Sequence, residues 1–239
     1  VLLAAEMIGG DAGQEASRAV LLRTVRGDPV PAVRKSIATG LADAVRDRPS
    51  YAADLRETLF ALLRDDHAGV RATALNGLHN FRDPQLLPVF WQMLGDSSYY
   101  ADAAAMNGVL SLDSTGSVDI VRERLLTSSR GDVLALAALD WVQRYRYAQL
   151  REEVRLLAAP GHSAALRAKA FETLILLREP ADALLAMLRA QLAEPRPLLR
   201  LYAVSALRLF PPQAAKDLLR RHLQAEDNPR VRAYIREHF

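Results

Sequence analysis

Apolar and small residues recur along this chain at steps of four, four and three positions. Val70, Ala74, Leu78 and Phe81 form one such set. Because an α-helix completes a turn in about 3.6 residues, these four side chains share one helical face. The same spacing begins at six other residues, which we call anchors together with Val70: Val33, Ala101, Leu134, Leu166, Leu199 and Val231. At Val231 the pattern is shortened by the end of the sequence. The pattern predicts a helix at each anchor.

The anchors follow one another at a near-constant period of 37, 31, 33, 32, 33 and 32 residues. Such a period is typical of stacked helical repeats, in which one repeat cannot bury its apolar face alone. A second amphipathic segment precedes each anchored helix, so each repeat is predicted to be two helices and a turn. These segments are Glu15–Val25, Ala53–Leu63, Gln85–Leu94, Val118–Leu126, Gln149–Ala158, Ala183–Leu192 and Ala214–Leu223.

Prolines agree with this division, because they fall in the predicted turns or at predicted helix starts, where a missing amide donor costs little. Pro88 is predicted to mark the beginning of its helix. No segment alternates with the period of a β-strand, and no apolar heptad persists beyond about 15 residues. Neither a β-sheet nor a coiled coil is therefore predicted.

Charged residues repeat with the same period, because an acidic residue stands six positions before a basic one in four repeats. The pairs are Asp28/Arg34, Asp65/Arg71, Glu194/Arg200 and Glu226/Arg232. This pattern resembles HEAT repeats, in which an Asp in the turn and an Arg at the start of the second helix form a ladder between neighbouring repeats. The alternative is a series of solvated surface charges, which stabilise little. Asp102 and Ala135 replace the arginine in two middle repeats, where we expect the stack to bend or bind differently.

The predicted fold is all-α: a right-handed α-solenoid, or α-α superhelix, of about seven HEAT-like helix pairs. Residues 1–239 are predicted to form a single repeat domain. Stacking the pairs would give a curved rod about 60–70 Å long, with the second helices on a concave binding face. The chain opens at Val1 with no initiating Met and no capping residue, which we interpret as a fragment of a larger protein.

The amino-acid composition excludes several classes of protein. Half of the residues are apolar, which is enough for a buried core, and no apolar run approaches the roughly 18 residues that span a bilayer. We therefore expect a soluble chain without a membrane partner. The composition does not indicate its cellular compartment. The absence of cysteine excludes disulfides and thiol catalysis. A net charge of +3 falls short of the basic stripe typical of nucleic-acid binding, so nucleic acid is not a favoured partner.

Motifs for catalysis are missing. A zinc peptidase needs HExxH and a serine hydrolase needs GxSxG, and neither occurs. The glycine-rich Gly9–Gly13 lacks the Lys of a P-loop and is interpreted as a turn between helices. We therefore predict no catalytic, cofactor-binding or metal-binding residue in this chain. A HEAT-like DNA glycosylase is an enzyme alternative, but half of the basic charge in the C-terminal third is cancelled by acidic residues.

Trp91, Tyr99 and Tyr100 surround one predicted turn. They are either a local cluster packed beneath that turn or an exposed recognition patch. The sequence leaves both interpretations open.

Four stretches occur in a recognisable order: LLAAEMIGGD (Leu2–Asp11), DDHAGVRATALNGLHNFRDPQLLPVF (Asp65–Phe90), DSSYYADAAAMNGVLSLD (Asp96–Asp113) and SRGDVLALAALDWV (Ser129–Val142). They resemble the C-terminal helical-repeat region of bacterial zinc aminopeptidases of the aminopeptidase N family. The resemblance implies an accessory domain that packs on the catalytic domain of its own parent chain and shapes substrate access. Zinc would belong to that parent. The family's HExxH and GxMEN elements are absent, so no catalytic residue is carried over.

Two functional hypotheses follow. The first is the accessory domain of an aminopeptidase N-like metallopeptidase, a hydrolase. The second is a stand-alone HEAT scaffold for protein–protein interaction, with a protein or peptide in its concave groove. An HExxH motif encoded upstream of Val1 would distinguish them.

Overall fold

The helices predicted from the apolar template are present in the computed structural model, which describes residues 12–47, 52–113, 117–210 and 212–239. The described residues form fourteen α-helices and no strand. They are α1 (Ala12–Gly27), α2 (Pro31–Asp47), α3 (Ala52–Leu62), α4 (Ala68–His79), α5 (Leu87–Met93), α6 (Tyr99–Leu112), α7 (Ser117–Leu126), α8 (Val133–Tyr145), α9 (Arg151–Ala158), α10 (Ala164–Leu176), α11 (Ala181–Leu192), α12 (Pro197–Leu207), α13 (Pro212–Ala225) and α14 (Pro229–His238). Short 3-10 turns occur at Pro84–Leu86, Arg130–Asp132 and Ala148–Leu150.

The helices alternate as the repeat predicts. Odd-numbered helices are the first helices of seven pairs, and even-numbered helices are the anchored second helices. The prediction of an all-α fold made of HEAT-like helix pairs is therefore confirmed.

The chain divides into two compact units, unit 1 (Val1–Ile120) and unit 2 (Val121–Phe239). In unit 1, α2, α4 and α6 pack side by side, and α1, α3 and α5 pack against them. The core of this unit contains fully buried side chains from both sets of helices, such as Leu59, Leu75 and Phe90.

Unit 2 has the same arrangement. Its second helices α8, α10, α12 and α14 pack in sequence, and α9, α11 and α13 each pack against the second helix that follows. Buried leucines from successive pairs fill the space between the helices, among them Leu139, Leu174 and Leu188. Each pair thus buries its apolar stripe only because a neighbour covers it.

Local sequence explains where many helices begin. Proline opens α2, α12, α13 and α14, where its missing amide donor has no intrahelical partner to lose. Pro88 lies in the first turn of α5, as predicted. Side chains also cap helix starts: Asn228 accepts from the backbone amides of Arg230 and Val231 at the start of α14.

Three second helices are followed, within three residues of their ends, by an arginine with positive φ that stands twelve positions after the anchor. These are Arg82 (φ 52°), Arg146 (φ 55°) and Arg178 (φ 58°). The left-handed conformation ends an α-helix, but it brings the Cβ of a non-glycine residue close to the following carbonyl oxygen. The turns between repeats therefore store backbone strain.

The Leu2–Asp11 stretch lies outside the described residues, and so do Pro49 and Pro211, two of the prolines that fall in predicted turns. The predicted turn at Gly9–Gly13 needs a correction at its end. Helix α1 already begins at Ala12, so Gly13 is helical.

Candidate functional site

Ion pairs connect consecutive helix pairs of unit 1 at the turns between first and second helices. Arg34 donates through Nε and Nη2 to both carboxylate oxygens of Asp65, at 2.7 Å each. Arg71 does the same to Asp96, at 2.9 and 2.6 Å. The remaining nitrogen of Arg34 donates to the backbone carbonyl of Asp28 at 2.7 Å, six residues earlier. Asp65 thus offers its carbonyl to Arg71 of its own repeat and its carboxylate to Arg34 of the preceding repeat.

Unit 2 repeats this geometry. Arg200 donates to both carboxylate oxygens of Glu226, at 2.9 and 2.7 Å, and to the carbonyl of Glu194 at 2.9 Å. Arg167 donates to the Glu194 carboxylate at 2.8 Å. We call these four connections, Arg34–Asp65, Arg71–Asp96, Arg167–Glu194 and Arg200–Glu226, the turn ladder.

Burial makes the turn ladder more than a set of solvated charges. The Glu226 side chain is 0% exposed and that of Arg200 is 9% exposed. Burial alone would raise the pKa of Glu226, but hydrogen bonds with Arg200, the Asn228 amide and His222 lower it from 4.5 to about 2. The hydrogen bonds from Arg34 and Arg71 likewise lower the pKa values of Asp65 and Asp96. A carboxylate with a lowered pKa is held in its charged form by its partners.

Sequence reasoning missed two members of the turn ladder, Asp96 and Arg167. The six-residue pattern does not detect either of them, because its second residue is missing in that repeat. Six residues after Asp96 stands Asp102 and not an arginine, and six residues before Arg167 stands Gly161 and not an acidic residue. A search for the acidic turn position and for the basic helix position, each by itself, would have identified Asp96 and Arg167. The buried carboxylate of Asp102 instead accepts from the amide of Gly95 in its own turn, at 3.0 Å.

The last predicted basic residue, Arg232, donates to the backbone carbonyl of Asp227 at 3.3 Å. This contact spans five residues, like those of Arg71 with the Asp66 carbonyl and of Arg200 with the Pro195 carbonyl, whereas the predicted partner Glu226 stands six residues earlier. Arg232 therefore lies at the predicted place, bonded to the turn that precedes its helix.

A second set of ion pairs joins successive repeats on the side of the first helices. Arg155 donates to both carboxylate oxygens of the buried Glu179, at 2.7 and 2.9 Å. Arg56 of α3 donates to Asp83 at 2.5 Å. These partners stand at unequal spacings, so the sequence carries no periodic signal for them.

A crevice opens between the second helices α10 and α12 of unit 2. Its volume is about 360 Å³, and its walls include Phe171, Glu172, Tyr202, Arg208 and Leu209. The ring of Phe171 is buried, whereas Tyr202 and Leu209 are exposed at the mouth. The crevice thus combines an apolar interior with charged and aromatic side chains at its opening.

The surface beside the crevice continues onto α14. The Tyr234 hydroxyl lies 3.4 Å from both Ser205 Oγ and Arg208 Nη1. These hydrogen bonds lower the pKa of Tyr234. Its ring stacks on His238 with 4.0 Å between centroids. Aromatic and basic groups therefore extend over two adjacent second helices.

The predicted aromatic patch lies in unit 1. Trp91 belongs to α5, Tyr99 and Tyr100 begin α6, and all three side chains are exposed. Exposure leaves them free to contact a partner, and their role in recognition stays a prediction.

Metal-ligating side chains do not converge in the described part of the chain. No three His, Cys, Asp or Glu side chains there are grouped so that they could hold a metal ion. Among the same residues, no helix is both long and apolar enough to cross a membrane.

Comparison with known proteins supports the repeat architecture. A family model described as HEAT repeats matches residues 56–140. No curated protein matches the chain. Among solved structures, human deoxyhypusine hydroxylase in complex with glycerol is similar at 20% identity and a TM-score of 0.38, over 99% of this chain and 86% of that one. That similarity is too low to carry an argument about function.

None of these findings connects the chain with the aminopeptidase N family. Residues 56–140 match HEAT repeats, and the described residues on either side form further helix pairs of the same kind.

Proposed function

We propose that this chain is a non-catalytic helical-repeat scaffold that binds a segment of another protein. Stacked helical repeats present extended surfaces that commonly mediate protein–protein interaction. The observation that carries the proposal is the crevice between α10 and α12, because it is a concave, partly apolar feature on the surface of the second helices.

The side chains around the crevice suit a peptide. Tyrosine and arginine are enriched among residues that dominate binding energy, since each combines a large contact area with a polar end. Tyr202 and Arg208 supply these groups, and Leu209 adds exposed apolar surface beside them. A cavity of about 360 Å³ lies within the range of ligand pockets, so one or two side chains of a bound segment would fill it.

The proposal that the chain is not itself an enzyme rests on its sequence. HExxH and GxSxG are absent, and no glycine-rich segment has the lysine of a P-loop. We therefore assign the crevice to binding.

Affinity capture with the full chain tests this function. Wild type and the variant Tyr202→Ala/Leu209→Ser are compared by quantitative mass spectrometry, and each candidate partner is then titrated as a purified protein. Tyr99→Ala/Leu156→Ser is the matched control, since it removes a tyrosine and a leucine that are nearly as exposed as Tyr202 and Leu209 and lie away from the crevice.

We expect direct binding of at least one partner to weaken about tenfold or more in the crevice variant and to persist in the control. Equal affinities for wild type and the crevice variant would rule out the crevice. Loss only in the control would move the contact to Tyr99 or Leu156, and the two single variants would separate them.

The resemblance over about Leu2–Val142 favours a second candidate function. In it, the chain is the accessory domain of an aminopeptidase N-like zinc peptidase, and its partner is the catalytic domain of its own parent. Reading the coding sequence upstream of Val1 tests this candidate. Both HExxH and GxMEN in frame would support it, and the absence of both would remove its basis.

A further inference from the structure

Helix α11 contributes the floor of the crevice between α10 and α12, because it packs against both of these helices. Leu188 and Gln191 of α11 line the crevice and lie three positions apart, so they share one side of the helix. Both are buried, at 0% and 6% exposure. Phe171 and Ala206 line the crevice from α10 and α12. The interior is therefore apolar except for one side-chain amide in its floor.

The fold determines which way the amide of Gln191 points. Its Nε2 donates to the backbone carbonyl of Leu199 at 3.2 Å. A carbonyl oxygen only accepts hydrogen bonds, so the nitrogen must face Leu199 and Oε1 must point away from it. Within the described residues nothing donates to this oxygen. The oxygen is not among the polar atoms that are both shut off from solvent and unpaired. Since Gln191 lines the crevice, its free acceptor is open to that space.

Other polar side chains of the crevice lie at its mouth. They are all exposed: Glu172, Tyr202, Ser205 and Arg208. Glu172 and Arg208 are of opposite sign, so the mouth has no net charge. A charged group in the interior would lose its water without meeting an opposite charge. The crevice therefore favours a neutral, largely apolar occupant that has a hydrogen-bond donor at its inner end.

We propose that the crevice binds a tryptophan side chain of a partner protein, with the indole N–H donating to Gln191 Oε1. This inference rests on the proposed function, because it takes the crevice as the binding site. Tryptophan combines a large apolar body with one donor and no acceptor, so the contact leaves no polar group of the ligand unpaired. Phenylalanine or leucine would cover the amide oxygen without giving it a donor, which costs free energy. Tyrosine brings a donor together with an acceptor that needs a partner of its own.

Two amino-acid amides serve as probes. The first is N-acetyl-tryptophanamide, and the second is N-acetyl-benzothienylalaninamide, in which sulfur replaces the indole N–H. Both are titrated by ligand-observed NMR against the full chain and three variants. Gln191→Met removes the acceptor and keeps a side chain of similar length, and Ala206→Leu narrows the crevice while leaving Gln191 intact. Ala190→Leu is the matched control, because it enlarges an exposed alanine of α11 that does not line the crevice.

We expect wild type to bind the indole probe with a dissociation constant on the order of 1 mM, and the sulfur probe about tenfold more weakly. In Gln191→Met the two probes should bind within about twofold of each other, because the N–H has lost its acceptor. Ala206→Leu should weaken both probes about tenfold, and Ala190→Leu should match wild type. Circular dichroism checks that the variants are folded. The comparison of the two probes on wild type needs no variant, so it tests the inference even if Gln191→Met does not fold.

Several outcomes would overturn the inference. Equal affinity of wild type for both probes, or no saturable binding, would show that Oε1 receives no N–H donor. A tenfold preference that persists in Gln191→Met would place the acceptor elsewhere, and indole binding unaffected by Ala206→Leu would place the site outside the crevice. Trp91 of this chain is itself exposed. Oligomers of unliganded wild type in light scattering that Trp91→Phe dissociates would make a second copy the occupant.

Failure of this inference and failure of the proposed function give different results. If affinity capture finds a partner that Ala206→Leu releases, but the indole probe does not bind, the inference fails and the proposed function stands. If the indole probe binds with the expected preference and capture finds no partner, the crevice is an indole site and the scaffold function fails.

Discussion

Replacing Glu226 with glutamine should lower the stability of unit 2 by about 3 kcal/mol near neutral pH. The carboxylate is fully buried and is hydrogen-bonded with Arg200, His222 and the Asn228 amide. Glutamine has nearly the same size but no charge, so Arg200 would lose its buried carboxylate partner and keep only the exposed Asp227. The cost is electrostatic rather than steric.

The magnitude follows from the pKa of Glu226, which is lowered from 4.5 to about 2 in the folded protein. A pKa below that of the unfolded chain means that the folded state is stabilised while the carboxylate is charged. The contribution is therefore fully present above the unfolded value of 4.5 and is lost as the pH falls toward 2. At about pH 3 it should be less than half of its value near pH 7.

Urea unfolding at several pH values measures this contribution. Trp141 lies in unit 2 and Trp91 in unit 1, so a Trp91→Phe background makes tryptophan fluorescence report on unit 2. Asp227→Asn is the matched control, because that carboxylate also accepts from Arg200 but its side chain is 86% exposed. It should cost less than about 1 kcal/mol. Equal costs for the two variants, or a Glu226→Gln cost that does not shrink below pH 4.5, would refute the reasoning.

Three further changes test the packing, the strained turns and the turn ladder. Gly108→Ala would place a Cβ 2.1 Å from the buried ring of Phe90, so urea unfolding should show a loss of about 1–3 kcal/mol. Arg178→Gly should raise the unfolding free energy by about 1 kcal/mol, because glycine adopts a φ of 58° without strain; an unchanged or lower value would contradict this. Arg71→Ala leaves the Asp96 carboxylate without its arginine and should cost about 3 kcal/mol in urea unfolding, with partial recovery in Arg71→Lys.

The positions of the helices follow from the sequence to within a few residues. The segment predicted at Ala53–Leu63 is α3 (Ala52–Leu62), and that predicted at Ala183–Leu192 lies within α11 (Ala181–Leu192). Apolar periodicity and proline placement are local properties, and in a repeat each helix is covered by neighbours close in sequence. Local signals are therefore enough to locate the elements.

The charged pattern predicted most of the arginines that bond to the turns, but not which carboxylate each arginine binds. The spacing of six residues corresponds to a contact with a backbone carbonyl, as between Arg34 and Asp28. The carboxylate contact of Arg34 is with Asp65, 31 residues later. That partner is set by how two repeats stack, which is a tertiary property.

The sequence by itself determined the helix pairs, their period and the residue types at their turns, because these depend on positions close together in the chain. Only the tertiary structure decided which carboxylate each arginine binds, how deeply Glu226 is buried, and where α10 and α12, or α11 and α13, leave space between them. Those features depend on distances between side chains that are many residues apart in the chain. The sequence repeat is nearly the same for helices that pack tightly and for helices that leave a gap, so it does not distinguish them.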